Sequence, residues 1–218
     1  LPSSRKDSRG MMYSQYGIEP ILDEFLEDIG FFLEIGCWDG EHFSQSLYLE
    51  QKGWRGLCVD PFPRNFEDRH CMVCPKAISS VSGPRDFIQV TVDKNNGGDV
   101  SYLSGFLDAV KIHYDFIEKN CVYNIVEVNT ITIPQLYEDY KLPYYIDFLS
   151  VDVEGAELEV FSGIDFSQHK FGLIAFEHNG NEIVRKQIGV ILERAGYEYV
   201  PLVSLEWDDM YTNKELLW

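Results

Sequence analysis

The sequence predicts an α/β fold: a mostly parallel central sheet with helices on both faces and an antiparallel strand at one edge. Three observations carry that expectation. The apolar stretches beginning at Phe31, Tyr145 and Phe171 are long enough for buried parallel strands, and each runs out into polar residues. Amphipathic runs of helical length alternate with them. The first stretch turns on two glycines, Gly36-Cys37-Trp38-Asp39-Gly40, which makes a pocket for a small polar ligand at the carboxyl end of a strand. The 218 residues suffice for one such domain, expected over 13–218, behind a polar tail expected to be flexible over 1–12.

The elements follow in order. Ile18, Ile21, Leu22, Phe25 and Leu26 share one face at helical spacing, and Pro20 suits a first turn, so a helix starts near Pro20. The strand from Phe31 and its bend lead into a helix from about Glu41 to Lys52, stopped by Gly53. Arg55 to Asp60 reads as a second strand, Cys71 to Ile78 as a third, and Asp86 to Val92 alternates as another. The glycine-rich loop from Asp93 to Ser101 is either a plain surface loop or a lid. A helix is expected from Gly105 to about Asn120, a β-branched strand from Val122 to Ile131, and a short helix from Ile133 to Tyr140. After the strand ending on Asp152, Gly155 turns the chain into a helix through Phe161. A helix from Glu182 to Arg194 would bury Ile183, Ile188, Ile191 and Leu192. Tyr197 to Leu205 and Asp209 to Asn213 would close one sheet edge as an antiparallel pair.

Charge narrows the partners. Eighteen basic against 36 acidic residues give a net charge of −18, which disfavours a nucleic-acid backbone, because phosphates need a basic footprint. Neutral acceptors, small molecules or glycans, are favoured instead. No apolar run is long enough to span a membrane. Five cysteines, three of them in apolar strand-like runs, read as reduced thiols in a cytoplasmic protein. Cys71-Met-Val-Cys74 has metal-ligand spacing but no second pair, so core packing is expected there. A chain beginning at Leu1 rather than Met is expected to be either a trimmed chain or a piece of a longer, multidomain polypeptide.

The acids name the ligand of the first bend. Carboxylates at Glu34 and Asp39, beside Gly36 and Gly40, would repel a pyrophosphate, whereas an ammonium and a sulfonium suit them. S-adenosylmethionine carries both. Asp60 lies at about the offset where an acid at a strand end meets a ribose. Pro61 and Phe62 would lie against the adenine, with Ala77 and Ile78 reaching it from the other side. A parallel sheet would gather Glu34, Asp39, Asp60, Asp152, Glu154, Glu177, His178 and Asn179 on one rim, with Asp152 also beside the cofactor.

Methyl transfer to a hydroxyl needs a base or a cation that lowers the pKa of the acceptor. Asp152, Glu177 and Asn179 offer hard oxygen ligands for magnesium or manganese. Without metal, His178 is the base and Asp152 or Glu154 positions the acceptor. A third alternative leaves Glu177 and His178 in ordinary loop hydrogen bonds. His42, His70, His113 and His169 lack an acidic companion at obvious spacing and are expected to be surface or packing residues.

These blocks resemble the FkbM-type S-adenosylmethionine-dependent methyltransferases. The likeness runs from Ser14-Gln15-Tyr16-Gly17 through the bend at Gly36, the stretch Lys52 to Pro61 and Lys76 to Ser79, to Ile146–Glu157 and Phe176–Asn179. It implies a Rossmann-like class I methyltransferase fold, cofactor binding by Glu34, Gly36, Asp39 and Asp60, and closure of the amino-acid end by Gln15. It also implies hydroxyls of sugars and polyketides as acceptors. Cys37-Trp38, where small residues are usual, and Asp60, where Glu is common, depart from the pattern. The expected activity is O-methylation of a sugar hydroxyl in a glycan or glycoconjugate. The alternatives are a non-sugar alcohol such as a polyketide or lipid intermediate, and a non-catalytic module keeping the fold. A nicotinamide-dependent oxidoreductase is disfavoured by the acids beside the bend.

Overall fold

In the computed structural model, residues 13–110, 113–201, 207–213 and 215 are described. The expected tail over 1–12 and the stretch from Leu202 to Leu205 lie outside them. Eleven strands form two sheets among the described residues.

The larger sheet has the order β10-β11-β9-β8-β1-β2-β3. Its strands are β1 (Phe31–Ile35), β2 (Arg55–Val59), β3 (Met72–Cys74), β8 (Tyr145–Val151), β9 (Lys170–Glu177), β10 (Glu198–Val200) and β11 (Asp208–Thr212). Strands β3, β2, β1, β8 and β9 are mutually parallel, and β11 runs antiparallel between β9 and β10. The antiparallel strand is therefore one position in from the edge, not at it.

Alternation along the parallel strands feeds two cores. Phe32, Phe148 and Leu173 face one way, with Ile18, Leu22 and Leu49 from helices α1 (Glu19–Phe25) and α2 (Leu47–Gln51). Leu33, Leu149 and Ile174 face the other way. They meet α4 (Ile133–Tyr140), α5 (Glu157–Ser162) and α6 (Glu182–Arg194) through Leu136, Phe161, Ile188 and Leu192. In α6, Ile183 is exposed and not part of the buried side. Among the described residues, no helix is long and apolar enough to cross a membrane.

The second sheet departs from the sequence expectation. Strands β4 (Ala77–Ile78), β5 (Gly83–Asp93), β6 (Gly105–Phe106) and β7 (Cys121–Ile131) make a separate sheet in the order β4-β7-β5-β6. The stretch Cys71 to Ile78 therefore divides, β3 joining one sheet and β4 the other. Strands β5 and β7 pair antiparallel along most of their length. Their buried and exposed residues alternate in part, as in a sheet with one solvated face.

Two expected helices are shorter than predicted. The run from Glu41 reaches helical form only at Leu47, because residues 44–46 are drawn onto the Glu34 carboxylate. Of the stretch from Gly105 to Asn120, Gly105 and Phe106 extend as β6 and α3 covers Tyr114–Asn120. Helices α4 and α6 begin and end where expected, with Thr132 and Asn181 as their N-caps.

Candidate functional site

Strand register builds the site. Ile35 pairs with both Val59 and Val151, Val151 with Phe176, and Glu177 with Asp208. One row further, Asp60, Gly36, Asp152 and Glu177 stand side by side at the carboxyl ends of β2, β1, β8 and β9. Ladder bonds continue there: Gly36 N–H donates to Val59 O (2.8 Å) and Asp152 N–H to Ile35 O (2.9 Å). This rim and the second sheet enclose a cavity of about 800 Å³, within the range of small-ligand sites.

The first bend is shaped by packing as much as by any ligand. Gly36 has φ +86°, and a Cβ there would lie 1.5 Å from the carbonyl oxygen of Asp152. Only glycine lets β1 and β8 end so close together. Three non-glycine residues at strand ends also take left-handed backbone: Trp38 (φ 45°), Glu154 (φ 53°) and Asn179 (φ 49°). All three line the cavity, where strained backbone concentrates.

Glu34 and Asp39 have local partners. The buried Glu34 carboxylate accepts from Ser44 Oγ (3.1 Å), Gln45 N–H (2.7 Å) and Ser46 Oγ (2.5 Å). It lines the cavity with its hydrogen bonds already committed. Asp39 accepts from the N–H groups of Glu41 and His42 and meets His42 Nδ1 at 2.8 Å. Neither Asp39 nor Gly40 is among the residues lining the cavity. Asp60 does line it, and accepts from Trp38 N–H (3.0 Å) and Phe62 N–H (2.7 Å). Burial outweighs those bonds and pushes its carboxyl up to about 6. Gln15, Pro61, Phe62, Lys76, Ala77 and Ile78 also face the cavity.

At the opposite end, one oxygen each from Asp152, Glu154 and Glu177 lie within 4.8 Å of one another. Asn179 Nδ2 donates to Glu177 Oε2 (2.5 Å) and to Glu154 Oε2 (3.4 Å). Burial and mutual repulsion push both Asp152 and Glu177 well above the usual carboxylate range. Asp208, beside Glu177 on β11, is pushed up to about 7 by burial and Asp209. Three oxygen donors at that spacing fit a hard divalent cation, and the Asn179 amide could turn its oxygen inward.

The histidine expected at the site is not the one the fold delivers. His178 does not line the cavity. Its Nδ1 accepts from Gly180 N–H (3.1 Å), and its Nε2 lies 4.0 Å from Asp209, which is gripped by Arg185. Burial pushes His178 below its ordinary value. His113 lines the cavity instead, with Nε2 3.2 Å from Glu154 Oε2, and that carboxylate raises its pKa. Nothing local marks His113, because its acidic partner is distant in the chain.

Arg69 also escaped sequence reasoning. Its guanidinium is buried beneath the first bend, bonded to Glu50 (3.0 Å), Ser46 Oγ (3.0 Å) and the Gly40 carbonyl. The five cysteines are free thiols, and Cys71 faces Cys58 (3.6 Å) rather than Cys74.

Comparison with known proteins adds the following. Residues 34–199 match the family described as the methyltransferase FkbM domain. No curated protein matches. Among solved structures, precorrin-6y C5,15-methyltransferase from Geobacter metallireducens GS-15 is similar at 14% identity and a TM-score of 0.40, over 95% of this chain and 94% of that one.

Proposed function

Because the chain belongs to the FkbM methyltransferase family, we propose that it methylates a hydroxyl of a sugar in a glycan or glycoconjugate, with S-adenosylmethionine as donor. The observation that carries this is one row of strand ends, from Asp60 through Gly36 to Asp152 and Glu177, facing one cavity. The strand order reverses between β1 and β8, which supports a Rossmann-like class I arrangement with its ligand at that switch point.

When bound, the donor supplies an electrophilic methyl group on a sulfonium. The residues of this chain would do the rest. Asp60 is placed to accept from ribose hydroxyls. Pro61, Phe62, Ala77 and Ile78 line the cavity and would offer apolar surface to adenine. Gln15 stands where it could close the amino-acid end. Asp39 and Gly40 contribute by holding the bend, since they do not face the cavity.

Acceptor chemistry is assigned to the cluster of Asp152, Glu154 and Glu177. Its oxygen donors favour magnesium or manganese, with Asn179 as a fourth ligand, and such an ion would lower the pKa of a bound hydroxyl. His113 against Glu154 favours a second, metal-free reading in which His113 accepts the proton. The rings of Trp38, Phe43 and Tyr102 in the cavity wall suit the faces of a neutral sugar. Free thiols favour a reducing, cytoplasmic setting.

Calorimetry with S-adenosylhomocysteine tests the donor: absence of heat would leave a non-catalytic module keeping the fold. A labelled-donor screen should favour neutral glycans, and turnover confined to polyketide or lipid alcohols would replace the sugar. Chelation should abolish turnover and manganese restore it. Turnover that survives chelation but drops roughly 100-fold or more in His113→Gln would select the metal-free route.

A further inference from the structure

Trp38 stands in the bend with left-handed backbone (φ 45°), and its surroundings show what it does there. Its backbone N–H donates to Asp60 Oδ2 (3.0 Å). Its indole Nε1 donates to Ser101 Oγ (2.8 Å), and both residues line the cavity. The ring lies against Phe43 (centroids 6.0 Å) and edge-on to Tyr102 (5.5 Å). Arg64, close after Asp60 in the chain, sits over the same ring at 5.6 Å. From there it reaches Asp99 (3.1 Å) and the same Ser101 hydroxyl (2.7 Å). Ser101 Oγ thus receives two donors, one from the bend and one from the chain just after β2, filling both of its lone pairs. The segment continues to Ser104, whose hydroxyl is tied to Val90 N–H on β5 (3.0 Å).

We infer that Trp38 is a positioning residue that couples donor occupancy to closure of residues 97–104 over the cavity. The inference rests on the donor reading above. Asp60 holds the Trp38 backbone and is also the group placed to meet the ribose, so a bound donor fixes the backbone that carries the indole. The indole and Arg64 then present their donors to Ser101 at fixed positions. Arg64 and Asp99 are both substantially exposed (44% and 49%), so their ion pair contributes little alone. The base of the segment is bonded to β5, Val100 N–H donating to Thr91 O (3.2 Å), so the two bonds to the Ser101 hydroxyl are what tie its tip to the bend. Coupling of this kind is reciprocal: whatever holds Ser101 in place tightens donor binding by the same factor. On this geometry the glycine-rich loop is a lid latched by Trp38 and Arg64.

Hydrogen exchange with and without S-adenosylhomocysteine tests the coupling without any acceptor. In the wild type, saturating S-adenosylhomocysteine should slow amide exchange over 97–104 several-fold and leave residues 141–144, on the opposite end of the sheet, unchanged. Ser101→Ala and Trp38→Phe should each bind with heat yet lose that protection, and Ser101→Thr, which keeps a hydroxyl, should restore it. Protection that persists in Ser101→Ala overturns the inference, as does wild-type binding with no change over 97–104. No heat of binding in the wild type overturns the donor reading and this inference with it.

Discussion

Asp60 is the residue on which the donor reading turns most directly. Its carboxyl is pushed up to about 6, chiefly by burial, although two backbone N–H groups point at it. A carboxylate accepts from ribose hydroxyls better than a carboxylic acid, so affinity for S-adenosylhomocysteine should weaken as pH falls through about 6. Asp60→Asn should bind roughly 10- to 100-fold more weakly and show no such dependence. Calorimetry between pH 5 and 8 reads both effects, and a wild-type affinity flat across that range would remove Asp60 from the site. The place of Asp60 beside Gly36 was legible in the sequence because it depends only on one strand and one offset. His113 could not. Its meeting with Glu154, which lies 41 positions further along the chain (154 − 113), depends on tertiary packing, and no local spacing records that.

At the scale of elements, the bend after β1 is held from below by an ion pair. Arg69 and Glu50 are 4% and 6% exposed, with Nε and Oε2 3.0 Å apart. Arg69 also grips the Gly40 carbonyl and Ser46, and Ser46 in turn holds Glu34. One guanidinium therefore ties α2, the bend and the end of β1 together. Arg69→Met should cost about 3–5 kcal/mol, because it strands a buried carboxylate. Glu50→Gln together with Arg69→Met should recover most of it, as urea denaturation would show; a double variant no better than the single one would refute the account. This arrangement also explains why α2 starts late. The apolar pattern from Glu41 onward is compatible with a helix, but the buried Glu34 carboxylate needs partners. Residues 44–46 supply them and give up helical backbone to do so. Helices α4 and α6 faced no such competing demand, and both run over the residues expected.

Across the whole molecule, buried carboxylates crowd at and just behind the cavity rim. Glu157 and Asp208 are each pushed up to about 7, first by burial, and Asp152 and Glu177 are raised as well. In the unfolded chain such groups titrate near 4. Between about pH 4 and 7 the folded chain therefore holds more protons than the unfolded one, and stability declines as pH rises through that window. For Glu157 alone, the move from 4.5 to about 7 corresponds to roughly 3 kcal/mol. The melting temperature should be several degrees lower near pH 8 than near pH 6. Millimolar manganese should restore it at the higher pH by neutralising the cluster. A melting temperature that rises over this interval, or ignores manganese, would count against the cation site.

What the sequence determined by itself is what depends on neighbours along the chain. Apolar runs ending in acids specified the buried strands, and with them the row of Gly36, Asp60, Asp152 and Glu177, because parallel strands end on one side of a sheet. Tertiary structure decided where each side chain's hydrogen bonds go. It committed Glu34 and Asp39 to the loops around them, turned His178 toward Asp209 and brought His113 to Glu154. It also split the third strand between two sheets, and β4, β5 and β6 of the second sheet line the cavity. Strand periodicity says which face is buried but not what covers it. A buried polar group takes the nearest partner the packing provides, and that partner can come from anywhere in the chain.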